Sequence, residues 1–168
     1  GTIALLPTFL VDQVGASARV AGLVGGVSAF ISVLGVAAAA WLRHHGARTG
    51  VWMAVSIAVP SLMLFSVFNA SAGIVQVAVL MLVLNTISGV YSGLAFALLP
   101  VLARTDAEMA VANGLTLQLG ATGSLLGPPL FAACVERWGW VGAAGAGALM
   151  SAACLGLMQA ARPATPSR

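Results

Sequence analysis

Charged residues are scarce in this chain of 168 residues, and lysine is absent. Only 7% of the residues are Asp, Glu, Lys or Arg, whereas a soluble globular domain averages about a quarter. Without more polar surface, a chain of this size cannot cover an apolar core in water. The scarcity of charge therefore excludes a soluble enzyme, a nucleic-acid-binding protein and a disordered chain. The formal net charge of +3 comes from scattered arginines and implies no patch that binds polyanions.

Cysteine and metal-binding patterns are also scarce. The two cysteines, Cys134 and Cys154, lie in apolar sequence, and their spacing matches no metal-binding or redox motif. His44 and His45 stand beside Arg43 with no carboxylate or third ligand near them, so a solvated basic loop is the preferred interpretation. The apolar segments contain no nucleophile–base set. We therefore expect no enzymatic activity, no catalytic residue, no metal site, no cofactor and no nucleic-acid partner.

Long apolar runs are what the chain has in abundance. Hydrophobic residues make up 60% of it before the 20 glycines are counted, and the mean hydropathy is +1.04. A helix needs about 20 apolar residues to cross a bilayer, and lipid leaves no partner for an unpaired backbone group. Because the runs lack the alternation of barrel strands, we predict an all-α polytopic membrane helix bundle, surrounded by membrane lipid. Its six apolar runs are Gly1–Val11, Val20–Leu42, Val51–Phe68, Ile74–Ala103, Ala110–Val135 and Trp140–Ala161.

The first run is too short to span a bilayer. Since it begins with glycine and has no basic region before it, it does not have the pattern of a signal peptide. We expect a helix whose N-terminal part is missing, within one six-helix transmembrane domain over residues 1–161. The polar, proline-containing residues 162–168 are expected to form a disordered cytoplasmic tail.

The arginines predict the orientation in the membrane. Short loops make neighbouring helices antiparallel, so alternate loops lie on opposite sides, and the side richer in arginine is cytoplasmic. The four tryptophans lie at predicted span ends, as interfacial anchors do. We therefore expect a multi-pass protein with a cytoplasmic C-terminus. The cytoplasmic arginines are Arg43, Arg48, Arg104, Arg162 and Arg168, and those on the other side are Arg19 and Arg137.

Matches at nearly the same sequence offset, 93 or 92 residues, indicate an internal repeat. The segment Ala4–Pro7 recurs as Ala97–Pro100, and the pattern that begins at Gly22 recurs from Gly114. Each unit contains three spans, and because three is odd, the second copy enters the membrane from the opposite side. Such inverted three-helix repeats are typical of many secondary transporters, which hold their substrate near the bilayer midplane.

With this repeat, the six-span pattern resembles the C-terminal half of a major facilitator superfamily transporter, from the end of span 7 to span 12. The glycine-rich run Gly120–Leu130, which ends in Gly-Pro-Pro-Leu, resembles the eleventh span of that family, and Gly139-Trp140 resembles the entry to the twelfth. The resemblance covers essentially the whole chain. It implies an alternating-access carrier with an N-terminal six-helix half as partner, in which spans 10 and 11 line the central cavity and spans 9 and 12 face outward.

The loop after the second run departs from the family pattern. The family often carries Gly-x-x-x-Asp-Arg-x-Gly-Arg there, and the matching glycine and basic residue are Gly46 and Arg48. Arg43 stands in place of the aspartate, which weakens the expectation of a charge-relay gate in this half.

Polar residues inside apolar spans are candidates for the substrate pathway, because burying them in a membrane is costly. Asn85, Ser88 and Ser92 share one face of the fourth run, since they are spaced at i, i+3 and i+7. This face suits a water-filled path or, alternatively, a hydrogen-bonded contact between helices. Gln118 in the fifth run and Tyr91, which lies off the stripe, are further candidates.

Small residues predict close helix contacts, and prolines predict a bend. Three glycine pairs are small-xxx-small motifs, which let membrane helices approach closely. Two adjacent prolines interrupt the backbone hydrogen bonds of the fifth run and produce either a hinge or a fixed bend. The pairs are Gly22/Gly26, Gly89/Gly93 and Gly123/Gly127, and the prolines are Pro128 and Pro129.

Two hypotheses about function remain. The first is a secondary active or facilitated transporter of a small-molecule substrate in a bacterial inner membrane, working by alternating access, with Asn85 and Gln118 as hydrogen-bonding contacts. No Asp, Glu, Lys or Arg lies in the middle of a complete span, so a proton-coupling residue would have to lie in the other half. The alternative is a non-transporting membrane scaffold or partner subunit, whose glycine-rich faces dock another protein. An intramembrane enzyme is less favoured than either.

Overall fold

The computed structural model describes residues 2–68 and 73–160, with side chains from residue 7 onward. The regular secondary structure in these ranges is helical, with no strand, so the prediction of an all-α chain is confirmed. The predicted tail at 162–168 lies outside the described residues. The helices are α1 (Thr2–Asp12), α2 (Ala18–His44), α3 (Thr49–Val67), α4 (Ile74–Leu102) and α5 (Asp106–Ala160).

Helix α5 contains a break at Gly139. The backbone there has φ 69° and ψ −175°, a conformation outside the helical region that is open mainly to glycine. At 1.5 Å per residue, the 55 residues of α5 would measure roughly 80 Å if straight, far more than a hydrocarbon core of roughly 30 Å. Gly139 therefore divides α5 into two helical segments, 106–138 and 140–160, which correspond to the fifth and sixth apolar runs.

Four of the described helices, α2 to α5, are long and apolar enough to cross a membrane. Many of their large apolar side chains face outward: Phe30 is 83% exposed and Leu149 is 74% exposed. In water such a surface would promote association, whereas lipid solvates it. The chain is a membrane helix bundle whose outer surface suits a bilayer. The inverted three-helix repeat stays a prediction.

Side-chain capping marks where α2 and α5 begin. The Ser17 hydroxyl accepts a hydrogen bond from the Val20 N–H (3.4 Å), which caps the N-terminus of α2. Before α5, Thr105 Oγ1 accepts from the Glu108 N–H (3.2 Å), and the Glu108 carboxylate accepts from the Arg104 N–H (2.7 Å). This arrangement is similar to a capping box, and the negative charge also suits the positive end of the helix dipole. The polar loop before α5 thus defines where that helix begins.

Helices α2 and α4 pack closely along a stripe of small residues. A Cβ atom built on Gly35 would lie 2.8 Å from the Gly89 Cα, and one built on Gly93 would lie 2.7 Å from the Ala39 Cβ. Both pairs have the same separation in sequence, so the two helices run parallel and keep one register over this stretch. Such close approach of backbones is typical of small-xxx-small contacts between membrane helices.

An aromatic cluster joins α1, the end of α3 and the second segment of α5. The ring centroids of Phe9 and Phe68 are 5.2 Å apart, and Trp140 lies 4.8 Å from Phe9 and 5.2 Å from Phe68. Aromatic pairs at such distances contribute about 0.5–1.5 kcal/mol beyond their area burial. The cluster therefore holds residues 140–160 against α1 and α3.

The first segment of α5 packs more loosely than the second. Of the described residues in 106–138, Phe131 alone is buried, whereas the second segment buries Ala143, Ala144 and Gly147. The core therefore lies between α1 to α4 and residues 140–160, and the first segment stands at its edge.

Candidate functional site

A cavity of about 330 Å³ lies between α3, α4 and the second segment of α5, with Phe131 of the first segment also in its lining. Its volume is at the small end of the range for ligand pockets. None of the described residues that line it is charged. The polar side chains in its lining are Ser56, Ser61, Ser88, Tyr91, Ser151 and Cys154.

Helix α3 contributes Ser56, Pro60 and Ser61 to one wall of the cavity. Both serines are buried. Ser61 Oγ lies 2.8 Å from the carbonyl oxygen of Ile57, one turn earlier in the helix. Back-bonding of this kind satisfies a serine proton inside a helix, and it leaves the lone pairs of Ser61 available for a second contact.

Ser61 makes that second contact with Ser151 of the second α5 segment. Each hydroxyl has one proton, so when Ser61 donates to Ile57, Ser151 is the donor in the bond between the two serines. Gly147, one turn before Ser151, allows the helices to come close, because a Cβ there would lie only 2.8 Å from Leu64 Cδ1. The serine pair therefore ties α3 to residues 140–160 at the cavity wall.

Helix α4 forms the third wall with Leu84, Ser88 and Tyr91. Their spacing of four and three residues puts all three on one helix face. The Tyr91 hydroxyl lies beside the thiol of Cys154 from the second α5 segment. Hydroxyls and thiols offer hydrogen bonds without a formal charge, so the three walls together suit a neutral molecule.

The structure divides the predicted substrate-pathway residues of α4. Ser88 and Tyr91 line the cavity. Ser92 is exposed, and its hydroxyl donates to the Ser88 carbonyl oxygen (3.3 Å). Asn85 is buried, and its side-chain amide donates to the Met81 carbonyl oxygen (2.9 Å) within the same helix. The cavity thus brings together two of these four residues.

Asn85 and Ser88 have different surroundings because successive positions of a helix point in different directions. Gly89 packs against Ser32 and Gly35 of α2, and Asn85, one turn before Gly89, lies on the same face. Ser88 is rotated from Gly89 by roughly 100°, towards α3 and the second segment of α5. One edge of the predicted polar stripe therefore packs against α2, and the other edge lines the cavity.

Gln118 lies in the first segment of α5, where it is exposed. It is not among the residues that line the cavity. Its backbone carbonyl oxygen accepts a hydrogen bond from Thr122 Oγ1 (2.9 Å), which is a local contact within the helix. A joint role of Gln118 and Asn85 as substrate contacts stays a prediction.

The predicted packing glycines have different surroundings. Gly89 and Gly93 lie in the contact between α2 and α4. At Gly22, Gly26 and Gly123, a Cβ would have no neighbouring atom within 4 Å. The docking of those three glycines against another helix stays a prediction.

The predicted bend falls in the first segment of α5. Gly127 and Pro128 are half-buried, and Pro129 is exposed. The helical backbone continues through all three residues, and the non-helical residue of α5 is Gly139. A hinge at the prolines stays a prediction.

The motif residues between α2 and α3 lie at helix ends. Arg43 donates a hydrogen bond to the Ala97 carbonyl oxygen near the C-terminus of α4, where a positive charge complements the helix dipole. Gly46 has φ 70°, and the exposed Arg48 directly precedes α3. In the structure these residues lie in or next to the exposed connection between α2 and α3, and Arg43 caps the C-terminal end of α4.

Sequence reasoning missed four cavity residues, Ser56, Ser61, Ser151 and Cys154. The family resemblance implied that spans 9 and 12 face outward, whereas the corresponding helices, α3 and residues 140–160, form two walls of the cavity. One usable signal was present. Gly147, Ser151 and Cys154 are spaced at i, i+4 and i+7, which predicts a continuous stripe of small and polar residues on one helix face.

No protein family, curated protein or solved structure matches the chain. Within residues 2–68 and 73–160, no three His, Cys, Asp or Glu side chains are grouped so that they could hold a metal ion. The cavity and the helices that surround it are therefore the features of this chain that point to a function.

Proposed function

We propose that this chain is part of a secondary active or facilitated transporter that moves a small solute across a membrane by alternating access. The observation that carries the proposal is the uncharged cavity between α3, α4 and residues 140–160, in which hydroxyl and thiol groups are set among apolar side chains. Polar groups within membrane-spanning helices are costly and often mark substrate pathways. Ser61 and Ser151 bond to each other, but the polar side chains as a set also surround an open volume, which a simple helix contact would not leave.

In this proposal the chain corresponds to the C-terminal six-helix half of a major facilitator superfamily transporter. The six helical segments and the sequence repeat support this assignment. The excess of arginine in alternate loops supports a cytoplasmic C-terminus in a bacterial inner membrane. An N-terminal six-helix half would be the partner, and the two halves would rock against each other around the bound solute.

Uptake by proteoliposomes tests the transport function. The full-length protein is reconstituted, and uptake of a panel of radiolabelled neutral solutes (polyols, sugars and small amides) is compared with uptake by protein-free liposomes. We expect at least one solute to enter faster with the protein. Ser88→Leu should abolish that increase because the larger side chain fills part of the cavity. Leu149→Met, on the exposed surface, should leave it unchanged.

Protein-free rates for every solute in the panel would contradict the proposal. So would an uptake that Ser88→Leu and Leu149→Met reduce equally, because that result would separate transport from the cavity.

A second candidate function is a non-transporting membrane scaffold or partner subunit. The loosely packed first segment of α5 favours it, because Gln118 is exposed on a membrane-spanning helix, where an amide gains from a partner helix. Gln118→Leu separates the two functions. A scaffold predicts weaker cross-linking to its partner in native membranes with unchanged uptake, and a transporter that uses Gln118 predicts the reverse. Leu119→Ala, also exposed, is the control for both measurements.

A further inference from the structure

Pro60 lies in the middle of α3 and lines the cavity. Proline has no backbone N–H, so the helical hydrogen bond to the carbonyl group four residues earlier cannot form. That carbonyl belongs to Ser56, which lines the same cavity. The Ser56 carbonyl oxygen is therefore an acceptor whose usual helical donor is missing, in a membrane-spanning helix and in a residue that lines the cavity.

A carbonyl group without a donor is costly inside a membrane, because lipid cannot supply a hydrogen bond. Membrane helices tolerate proline where a side chain, a water molecule or another group takes over the freed carbonyl. The Ser61 hydroxyl is close in sequence, but its bonds are to Ile57 and Ser151. A molecule bound in the cavity can provide the missing donor.

The Ser56 carbonyl group adds an acceptor, and no donor, to the residues that line the cavity. Each serine or tyrosine hydroxyl in the lining can both donate and accept, whereas the Ser56 carbonyl oxygen only accepts. Among the described lining residues there is no Arg, Lys, His, Trp, Asn or Gln, the side chains that carry N–H donors. A ligand with an N–H or O–H group of its own can therefore supply the donor that the Ser56 carbonyl oxygen lacks.

The apolar part of the lining defines the body of the ligand. Leu64, Leu84, Phe131 and Met150 lie around the polar groups. An ionised ligand would lose its hydration there without meeting an opposite charge, which is strongly unfavourable. A volume of about 330 Å³ admits only a small molecule.

We propose that the cavity binds a small, uncharged, amphipathic molecule that donates a hydrogen bond to the Ser56 carbonyl oxygen. Pro60 is then a specificity-determining residue, because its missing N–H leaves that acceptor to the ligand. This inference rests on the transport function proposed above and names the class of its substrate.

Cys154 can report whether the cavity is occupied, because it is part of the lining. In full-length protein carrying Cys134→Ala, alkylation of Cys154 by N-ethylmaleimide is measured at increasing concentrations of benzamide or acetophenone. The two probes are similar in size and shape, but only benzamide has N–H donors. We expect benzamide to slow the alkylation.

Two substitutions restore the N–H group that Pro60 lacks. In both Pro60→Ala and Pro60→Gly, the benzamide concentration for half-protection should rise roughly fivefold, the effect of one net hydrogen bond, while the value for acetophenone should stay unchanged. Pro60→Ala can also straighten α3, whereas Pro60→Gly keeps it flexible. A loss of benzamide protection in both variants therefore comes from the hydrogen bond and not from a straighter α3. Pro100→Ala, in α4 and outside the cavity lining, should alter neither value.

Comparing each probe with itself across the variants cancels differences in partition into the membrane. An equal loss of protection for both probes, or no loss for benzamide, would overturn the inference. Absence of protection by benzamide in the parent protein would overturn it as well.

The two proposals fail separately. Uptake by proteoliposomes without the benzamide selectivity would leave transport standing and remove the substrate class. Selective protection without uptake of any solute would keep the ligand class and remove transport.

Discussion

Gly35 of α2 and Gly89 of α4 lie so close that a Cβ atom on Gly35 would be 2.8 Å from the Gly89 Cα. Lipid is as apolar as the helices, so close van der Waals packing, and not the hydrophobic effect, holds such a pair together. The contact fixes the position of α4 against α2. Ser88 and Tyr91, on another face of α4, line the cavity. The glycine contact therefore positions one wall of the candidate site.

Gly35→Ala should destabilise the bundle. The added methyl group would lie 2.8 and 2.9 Å from backbone atoms of α4, so the helices must separate, at a cost of roughly 1–3 kcal/mol. Gly22→Ala is the matched control in the same helix, because a Cβ there meets no atom within 4 Å. Thermal unfolding in detergent, followed by circular dichroism, should show a lower midpoint for Gly35→Ala alone. Equal midpoints would contradict the contact.

The helices could be predicted from the sequence because lipid imposes a simple requirement on length and polarity. The run Val51–Phe68, for example, corresponds closely to α3, Thr49–Val67. The packing faces could not be predicted in the same way. Gly22 with Gly26 and Gly35 with Ala39 have the same spacing, yet Gly22 and Gly26 have open space around them. Sequence does not distinguish glycines that face lipid from glycines that face a helix, because both surroundings are apolar.

The candidate site was harder to predict because its residues are only weakly polar. The amides Asn85 and Gln118 are the costliest groups to bury, so they stood out in the sequence, but neither lines the cavity. Ser61 and Ser151 do line it. A serine can satisfy its hydroxyl within its own helix, so a serine beside a cavity has the same sequence pattern as one that faces lipid. Only the contact between α3 and residues 140–160, which is a feature of the fold, shows which serines lie beside the cavity.

Gly139→Ala should destabilise the connection between the two segments of α5. At φ 69° and ψ −175° a side chain is strained, with a cost of roughly 1–3 kcal/mol. Gly145→Ala is a matched control. A Cβ on either glycine would have open space around it, but of the two only Gly139 has a positive φ. Limited proteolysis near residue 139 should become faster in Gly139→Ala. Identical digestion of the two variants would contradict the break.

Ser61→Ala and Ser151→Ala should show coupled effects on stability. The two hydroxyls form one hydrogen bond, so removing either loses it, and the double variant should cost less than the two single variants added together. Couplings of this kind inside membrane proteins average about 0.6 kcal/mol and reach about 1.7 kcal/mol. Thr122→Ala removes only a local bond in the first segment of α5, so its effect should add to that of Ser61→Ala. Full additivity in the serine cycle would contradict the link between α3 and α5.

Cys134 should react with an impermeant thiol reagent from outside the cell. It lies close to the break at Gly139, which the arginine distribution predicts to be extracytoplasmic. Cys134 is half-buried, so its reaction should be slow but detectable. The protein for this test carries Cys154→Ala, which leaves Cys134 as the one cysteine of these 168 residues. The control is Arg48→Cys in a cysteine-free protein, in the exposed loop before α3, and it should react only after the cells are permeabilised. Labelling of the control in intact cells, with protection of Cys134, would reverse the orientation and put the positively charged loops outside.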